Sequence, residues 1–153
     1  MSKILNICIS EKASSPMILK KKVEVVKNKG IKGDRYFLGT GTWSAKNKPH
    51  QQITLIESEN IDFINLHLEQ KLNYEDFRRN IITKNIKLNN LVGEKIIIGS
   101  LELEVIKLRH PCLYLAKLLD QDIDLVKLLR LKGGIACKVI KSGIIKIDDK
   151  IIC

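Results

Sequence analysis

The chain has 153 residues, of which 44% are hydrophobic and 29% charged, a composition typical of one soluble globular domain with its own core. No stretch approaches the roughly 20 apolar residues of a membrane span, and the apolar run at residues 4–9 lacks a secretory cleavage pattern. The net charge of +10 comes mostly from dispersed lysines with few aromatic residues, which disfavours a nucleic-acid interface and favours a solvated basic surface. We therefore expect a single domain over residues 1–153, without a membrane partner. Its four scattered cysteines are expected to be free thiols in the cytoplasm.

Short runs rich in Ile, Leu and Val dominate the chain and are bounded by Gly, Asn or Ser. Residues 101–107 alternate apolar and polar side chains, which is typical of a half-buried strand. Two pairs of runs are separated by short turns and predict hairpins. The predicted strands are Lys3–Ser10, Val23–Lys27, Gln51–Ile56, Arg79–Thr83, Lys95–Ile98, Leu101–Lys107, Gly134–Ile140, Ile144–Ile147 and Lys150–Ile152.

Two segments have helical rather than strand periodicity. Glu57–Leu72 places Ile61, Ile64 and Leu68 on one face and predicts the clearest helix of the chain. Pro111–Leu131 predicts two short helices. Many short strands with two or three short helices favour a mainly-β barrel or strongly coiled sheet over a doubly wound α/β fold.

Cys112 follows Arg109, His110 and Pro111 and precedes a helical-looking run. Cationic neighbours and a helix N-terminus both favour the thiolate, which is the nucleophilic and metal-binding form of cysteine. Pro111 is suited to a first helical turn. His110 could tune or deprotonate the thiol, although neighbouring side chains often point apart. A buried, unreactive Cys112 is the alternative.

Arginine is scarce in this lysine-rich chain, and four of its five arginines lie in three short motifs. Arg35 ends the glycine-containing loop Gly30–Arg35, Arg78 and Arg79 lie in Phe77–Asn80, and Arg109 precedes the thiol. Guanidinium groups bind phosphate in a bidentate manner, so this distribution indicates an anion site. Structural ion pairing is the alternative. Asp34 is expected to fix its turn rather than act as a base.

Taken in order, these motifs resemble the MOSC domain, named for the C-terminal part of molybdenum cofactor sulfurase. The resemblance covers essentially the whole chain, and its motifs are Gly30–Arg35, Gln52–Ile56, Asp76–Ile81, Arg109–Cys112, Gly133–Val139 and Gly143–Asp149. It implies a closed or partly open β-barrel of the pyruvate-kinase barrel type. It also implies a role in sulfur handling or in binding the molybdenum cofactor, molybdopterin.

Under this resemblance, Cys112 corresponds to the motif cysteine, as a persulfide carrier or as a sulfur ligand to molybdenum. Arg78 and Asn80 match the family's F-R-x-N motif, and Arg35 matches its G-D-R motif. Together with Arg109 they are the expected cofactor-binding residues, and we expect all four to converge in one cleft that exposes Cys112.

The chain lacks a pyridoxal-phosphate domain, so no pyridoxal phosphate is expected and it cannot extract sulfur from cysteine by itself. A cysteine desulfurase as sulfur donor, or a molybdoenzyme or reductase partner, is implied instead. Gln51 stands where many stand-alone members have an arginine, which removes one expected positive charge. Three functions follow: a sulfur carrier or sulfurtransferase, a cofactor-binding module working with a reductase, and a basic scaffold or nucleic-acid binder.

Overall fold

The computed structural model describes residues 1–40, 49–109 and 131–153. It contains ten strands in these ranges, and two α-helices, α1 (Arg35–Leu38) and α2 (Ser58–Asn65). Short 3-10 turns occupy Pro49–Gln51, Tyr74–Phe77 and Leu88–Leu91. The strands are β1 (Lys3–Ile9), β2 (Ile18–Lys20), β3 (Lys22–Val26), β4 (Gly30–Ile31), β5 (Ile53–Glu57), β6 (Ile81–Lys84), β7 (Lys95–Ile98), β8 (Leu101–Leu108), β9 (Ile135–Lys141) and β10 (Gly143–Lys146).

Seven strands form one curled sheet in the order β2-β1-β6-β5-β9-β8-β7, and β10-β3-β4 form a second, smaller sheet. Neighbouring strands are antiparallel except β5 and β6, which are parallel and joined through α2. The mainly-β class is therefore confirmed. None of the helices in the described ranges has the length and apolar character of a membrane span.

The sequence predicted a closed or partly open barrel, and the closed form is wrong for the described strands, which form an open half-barrel. Between β1 and β7 there is no continuous ladder, only the isolated bridges Lys3–Lys150 and Ile97–Ile152. A tight turn follows β10, in which Asp148 has a φ of 73° and the amide of Lys146 donates to the Asp149 carboxylate. After this turn the chain end forms only those two isolated bridges, one to β1 and one to β7, and does not complete a ladder between these strands.

The core occupies the inside of the curled sheet, because the strands alternate apolar and polar residues. Ile7, Leu55, Ile81, Val105 and Val139 are buried there. On the opposite face of β5 and β6, a second cluster joins Ile56 and Ile82 to α2 and to the following turn; its other buried members are Ile61, Ile64 and Phe77. Strands β5 and β6 are therefore covered on both faces, which makes them a rigid support for the loops at their ends.

The predicted helix over Glu57–Leu72 is half as long in the structure and ends at Asn65. The side chain of Asn65 donates through Nδ2 to the carbonyl of Leu72, and its Oδ1 accepts from the N–H of Leu72. These two bonds close a loop in place of further helical turns. Leu68 and Leu72 still pack against the second cluster, but they do so from a loop and not from a continuing helix. The helices predicted over Pro111–Leu131 lie outside the described residues, except for Leu131 itself.

Candidate functional site

The Gly30–Arg35 motif, expected to be a loop, begins with the short strand β4 and continues through a turn into helix α1. Gly33 has a φ of +88°, and Asp34 caps the helix by accepting from the amide of Tyr36. The other oxygen of Asp34 accepts from the amide of Ser10 at 3.0 Å. The fully buried Asp34 therefore fixes the turn, in agreement with the role expected for it.

The guanidinium of Arg35 is bound on several sides by the protein. One Nη forms a buried ion pair with Asp34 at 3.1 Å and lies 3.6 Å from the sulfur of Met17. The other Nη donates to the carbonyl oxygen of Arg78 at 3.1 Å, which joins the first arginine motif to the second. Arg35 therefore lies at the predicted meeting point, but these donors are engaged by the chain itself.

Arg78 fastens the β1–β2 loop (residues 10–17) to the rest of the fold. Its guanidinium donates to the carbonyl oxygens of Ser15 at 2.6 Å, Ala13 at 2.8 Å and Lys12 at 3.3 Å. The backbone of Arg78 is left-handed, with a φ of 57°, because it ends the turn Tyr74–Phe77. Carbonyl oxygens thus take the place that the phosphate oxygens of a cofactor were expected to occupy.

Asn80 is fully buried and joins three strands through its side chain. Its Oδ1 accepts from the backbone N–H of Thr54 at 3.0 Å and from the Thr54 hydroxyl at 3.1 Å. Its Nδ2 donates to the carbonyl of Cys8 at 3.2 Å. Asn80 follows Arg78 by two residues in the chain, and its side-chain amide connects β1 and β5 to the start of β6.

Another group of polar contacts lies where β8 ends and the chain enters β9. The amide of Arg109 donates to the carbonyl of Gly134 at 2.8 Å, and Nε of Arg79 donates to the carbonyl of Gly133 at 2.8 Å. Nε of Arg109 is buried and has no hydrogen-bond partner among the described residues. We call Arg79, Arg109, Gly133 and Gly134 the arginine–glycine node.

Gly134 allows the chain to pass close to β5 at this point. Its φ is +86°, and a Cβ at this position would lie 2.0 Å from the carbonyl oxygen of Leu55. Only glycine fits both the conformation and the close approach of β5. Arg79 was placed in a motif by the sequence but not among the expected site residues; the scarcity of arginine was the signal that pointed to it.

The cysteines within the described residues have distinct environments. Cys8 and Cys137 are buried, and Cys153 is exposed. Burial, with a smaller contribution from the carboxylate of Glu75, raises the pKa of the Cys8 thiol to about 12. Burial also raises the pKa of the Cys137 thiol. Cys112 and His110 lie outside the described residues.

A cavity of about 370 Å³ adjoins Arg78 under the β1–β2 loop. Two hydroxyls, two carboxylates and the side chains of Pro16 and Met17 also line it; the polar residues are Ser14, Ser15, Glu75 and Asp76. Two carboxylates repel phosphate, so this cavity does not suit an anionic group. Across the described ranges, no three His, Cys, Asp or Glu side chains come together as a metal site.

The sequence model of the MOSC domain matches residues 42–152, and the chain belongs to the MOSC domain family. The family is associated with the molybdenum cofactor. A search of curated protein sequences found no match.

Three solved structures with a similar fold come from named bacteria. The YuaD protein of Bacillus subtilis has a TM-score of 0.80 and 20% identity, over 99% of this chain and 94% of that one. YiiM from Geobacillus stearothermophilus has a TM-score of 0.72 and 15% identity, over 99% and 74% of the two chains. YiiM from Escherichia coli has a TM-score of 0.69 and 16% identity, over 99% and 70%. At these identities the likeness concerns the fold.

The donors present decide where an anionic cofactor would fit. The described donors of Arg35, Arg78 and Asn80 serve carbonyl oxygens, a carboxylate and a thioether of the chain. At Arg109, by contrast, a buried N–H has no partner among the described residues. The residues therefore fit an anionic group at the arginine–glycine node better than at the group formed by Arg35, Arg78 and Asn80.

Proposed function

We propose that this MOSC domain is a sulfur carrier associated with the molybdenum cofactor, with Cys112 holding transferred sulfur as a persulfide. A persulfide carrier needs an accessible thiol of low pKa without a resolving thiol beside it. Cys8 and Cys137 are unsuited because burial keeps their thiols protonated. Cys112 is suited by its sequence position three residues after Arg109, on the path that leaves the arginine–glycine node.

The Nε of Arg109, which is buried and has no hydrogen-bond partner within the part of the chain that the structure describes, is the observation on which this proposal depends most. A buried donor without a partner costs roughly 1–3 kcal/mol, and an acceptor supplied by a ligand would recover that cost. A guanidinium prefers an anionic acceptor, such as a thiolate, a persulfide or a phosphate. Arg109 is therefore proposed to stabilise the anionic form of whatever the Cys112 segment binds or carries.

The transfer step conserves atoms and electrons. His110 accepts the Cys112 proton, and the resulting thiolate attacks the outer sulfur of a persulfide on a donor protein such as a cysteine desulfurase. The new S–S bond forms on Cys112 as the donor's own S–S bond breaks, and the donor leaves as a thiolate. Attack by an acceptor on the outer sulfur of Cys112 repeats the exchange and restores the thiol.

A cofactor-binding module that works with a molybdoenzyme or reductase partner is the second candidate. The same buried N–H of Arg109 favours it, because a pterin phosphate would satisfy this donor. When bound, the molybdenum cofactor would supply an oxo-metal centre able to take a thiolate ligand. Cys112 would then be that ligand, and Arg109 would hold the phosphate.

On the family resemblance, we also propose that the open half-barrel is a variant of the pyruvate-kinase barrel type.

Sulfur loading tests the first candidate directly. The protein would be incubated with a cysteine desulfurase and cysteine, and its intact mass measured before and after a reductant. We expect a reductant-sensitive gain of about 32 Da in the wild type and in Cys153→Ser, and no gain in Cys112→Ser. Equal loading of Cys112→Ser would contradict the proposal. Retained molybdenum and pterin fluorescence without sulfur gain would favour the second candidate.

A further inference from the structure

Three lysines lie side by side on the outer face of the curled sheet. Lys3 of β1 is directly opposite Lys84 of β6, and on its other side it is bridged to Lys150. Residues that are directly opposite on neighbouring strands point to the same face. That face is the outer one, because Ile4 and Ile151, the neighbours of Lys3 and Lys150, are buried in the core. With neighbouring strands about 4.8 Å apart, the three side chains form a row about 10 Å long.

This row concentrates positive charge that the chain neutralises only in part. Lys3 forms an ion pair with Asp148 at 3.0 Å. Lys84 and Lys150 are exposed and form no ion pair within the described ranges. The carboxylate of Glu59, which reaches the residue after Lys84, accepts a backbone N–H there. Like charges directly opposite each other destabilise a sheet, so the row has a cost that an external anion would offset.

Two exposed isoleucines extend the row towards β7. Ile152 lies two residues after Lys150 and is bridged to Ile97 of β7. Ile152 is 59% exposed and Ile97 is 37% exposed. On the next strand, Glu102 is opposite Ile97, and it is also in register with Lys141 of β9, which balances its charge. We call Lys3, Lys84, Lys150, Ile97 and Ile152 the lysine–isoleucine face.

We propose that the lysine–isoleucine face is a docking surface for an acidic protein partner. Carboxylates of the partner would meet the lysines, and its apolar side chains would cover the isoleucines. Charge complementarity selects this occupant, because a second copy would bring two lysine rows together in a chain of net charge +10. The face has no arginine or aromatic side chain on which nucleic-acid bases could stack.

A membrane surface is also a poorer match than a protein. Anionic lipids are typically bound by clusters of about four to eight basic residues, whereas this row has three. The proposal goes beyond the sulfur-carrier function and does not depend on Cys112, so the two proposals fail separately.

An NMR titration tests the proposal with a defined acidic probe. The isotope-labelled protein would be titrated with a peptide that has a run of Glu followed by a pair of Leu. We expect chemical-shift changes concentrated at the start of β1, the end of β6, β7 and residues 150–152, and weaker binding as salt rises. Combining Lys3→Gln, Lys84→Gln and Lys150→Gln should weaken binding about tenfold.

A second triple variant is the matched control. Lys12→Gln, Lys27→Gln and Lys107→Gln remove the same charge from exposed positions outside the face, and together they should change the affinity less than about twofold. Because like charges repel within the row, the face variant should melt no lower than the wild type. If it does not fold, Lys84→Gln alone decides, with binding expected to weaken about two- to threefold.

Equal weakening in the two triple variants, or shift changes spread over all exposed lysines, would overturn the proposal. So would tighter binding of a DNA duplex or of phosphatidylserine vesicles than of the acidic peptide. Dimerisation in analytical ultracentrifugation that Ile97→Ser abolishes would show that a second copy occupies the face, and would overturn it as well.

Discussion

Replacing Asn80 with alanine separates a structural role from a cofactor-binding role. The change removes three side-chain hydrogen bonds, two from Thr54 and one to Cys8, at a site with no exposed surface. Two buried backbone groups, the N–H of Thr54 and the carbonyl of Cys8, lose this partner. At roughly 1–3 kcal/mol for each buried group left unsatisfied, we expect a loss of about 3 kcal/mol.

Urea unfolding followed by circular dichroism measures this loss. For a chain of this length, about 3 kcal/mol corresponds to a melting temperature lower by about 6–12 °C. A second variant, Asn80→Asp, tests the contact with Cys8 separately from the contact with Thr54. Its Oδ1 can still accept from Thr54, but its second oxygen faces the carbonyl of Cys8, which only a protonated carboxyl can donate to.

The pH dependence of Asn80→Asp follows from that contact. Burial and the facing carbonyl raise the pKa of the new carboxyl in the folded state, so its stabilising contribution is present at low pH and lost as pH rises. Asn80→Asp should therefore be closer to wild-type stability at pH 4 than at pH 7, when each is compared with the wild type at the same pH. An Asn80→Ala stability within about 0.5 kcal/mol of the wild type, together with lost cofactor binding, would refute the structural role.

Three further predictions concern backbone fit, loop anchoring and buried thiols. Gly134→Ala should fail to give soluble folded protein or lose more than about 3 kcal/mol, measured by yield and urea unfolding, because its Cβ would meet the Leu55 carbonyl at 2.0 Å. Arg78→Met should free the β1–β2 loop, and limited proteolysis should cut that loop faster than in the wild type at equal global stability. The raised pKa values of Cys8 and Cys137 stabilise the fold below pH 9.0, and this is lost as pH rises toward about 12, by about 1.4 kcal/mol per unit for each thiol. Alkaline urea titrations should show the fall in the wild type and a shallower one in Cys8→Ala.

The apolar–polar periodicity of the sequence was sufficient to predict most strands of the sheet, because each of these strands buries one face. The run at residues 101–107 alternates cleanly and forms β8. Strand β2 was not predicted, since its three residues are all exposed and carry no burial pattern. The end of α2 was also missed, because the Asn65–Leu72 contacts that close the loop depend on tertiary geometry and not on local spacing.

The arginine motifs show how far composition can indicate a site. Arg35 and Arg78 do meet, as their hydrogen bond shows, whereas their predicted convergence with Arg109 in a cleft that exposes Cys112 stays a prediction. Composition could not tell whether a guanidinium would face a ligand or a backbone carbonyl, because the loop that Arg78 holds is 63 residues away from it in sequence. The hydrogen bond from Arg79 to Gly133 could not be predicted for the same reason, since Gly133 belongs to a loop that is distant in sequence.

Locating the transferred sulfur within the chain tests the central claim most directly. After loading by a cysteine desulfurase, the protein would be alkylated, digested and mapped by mass spectrometry, with each cysteine peptide compared before and after reduction. The account predicts that the extra sulfur, about 32 Da, lies on the peptide containing Cys112 and on no other. Sulfur on Cys8, Cys137 or Cys153 instead, or a loaded chain whose Cys112 peptide is unmodified, would contradict it.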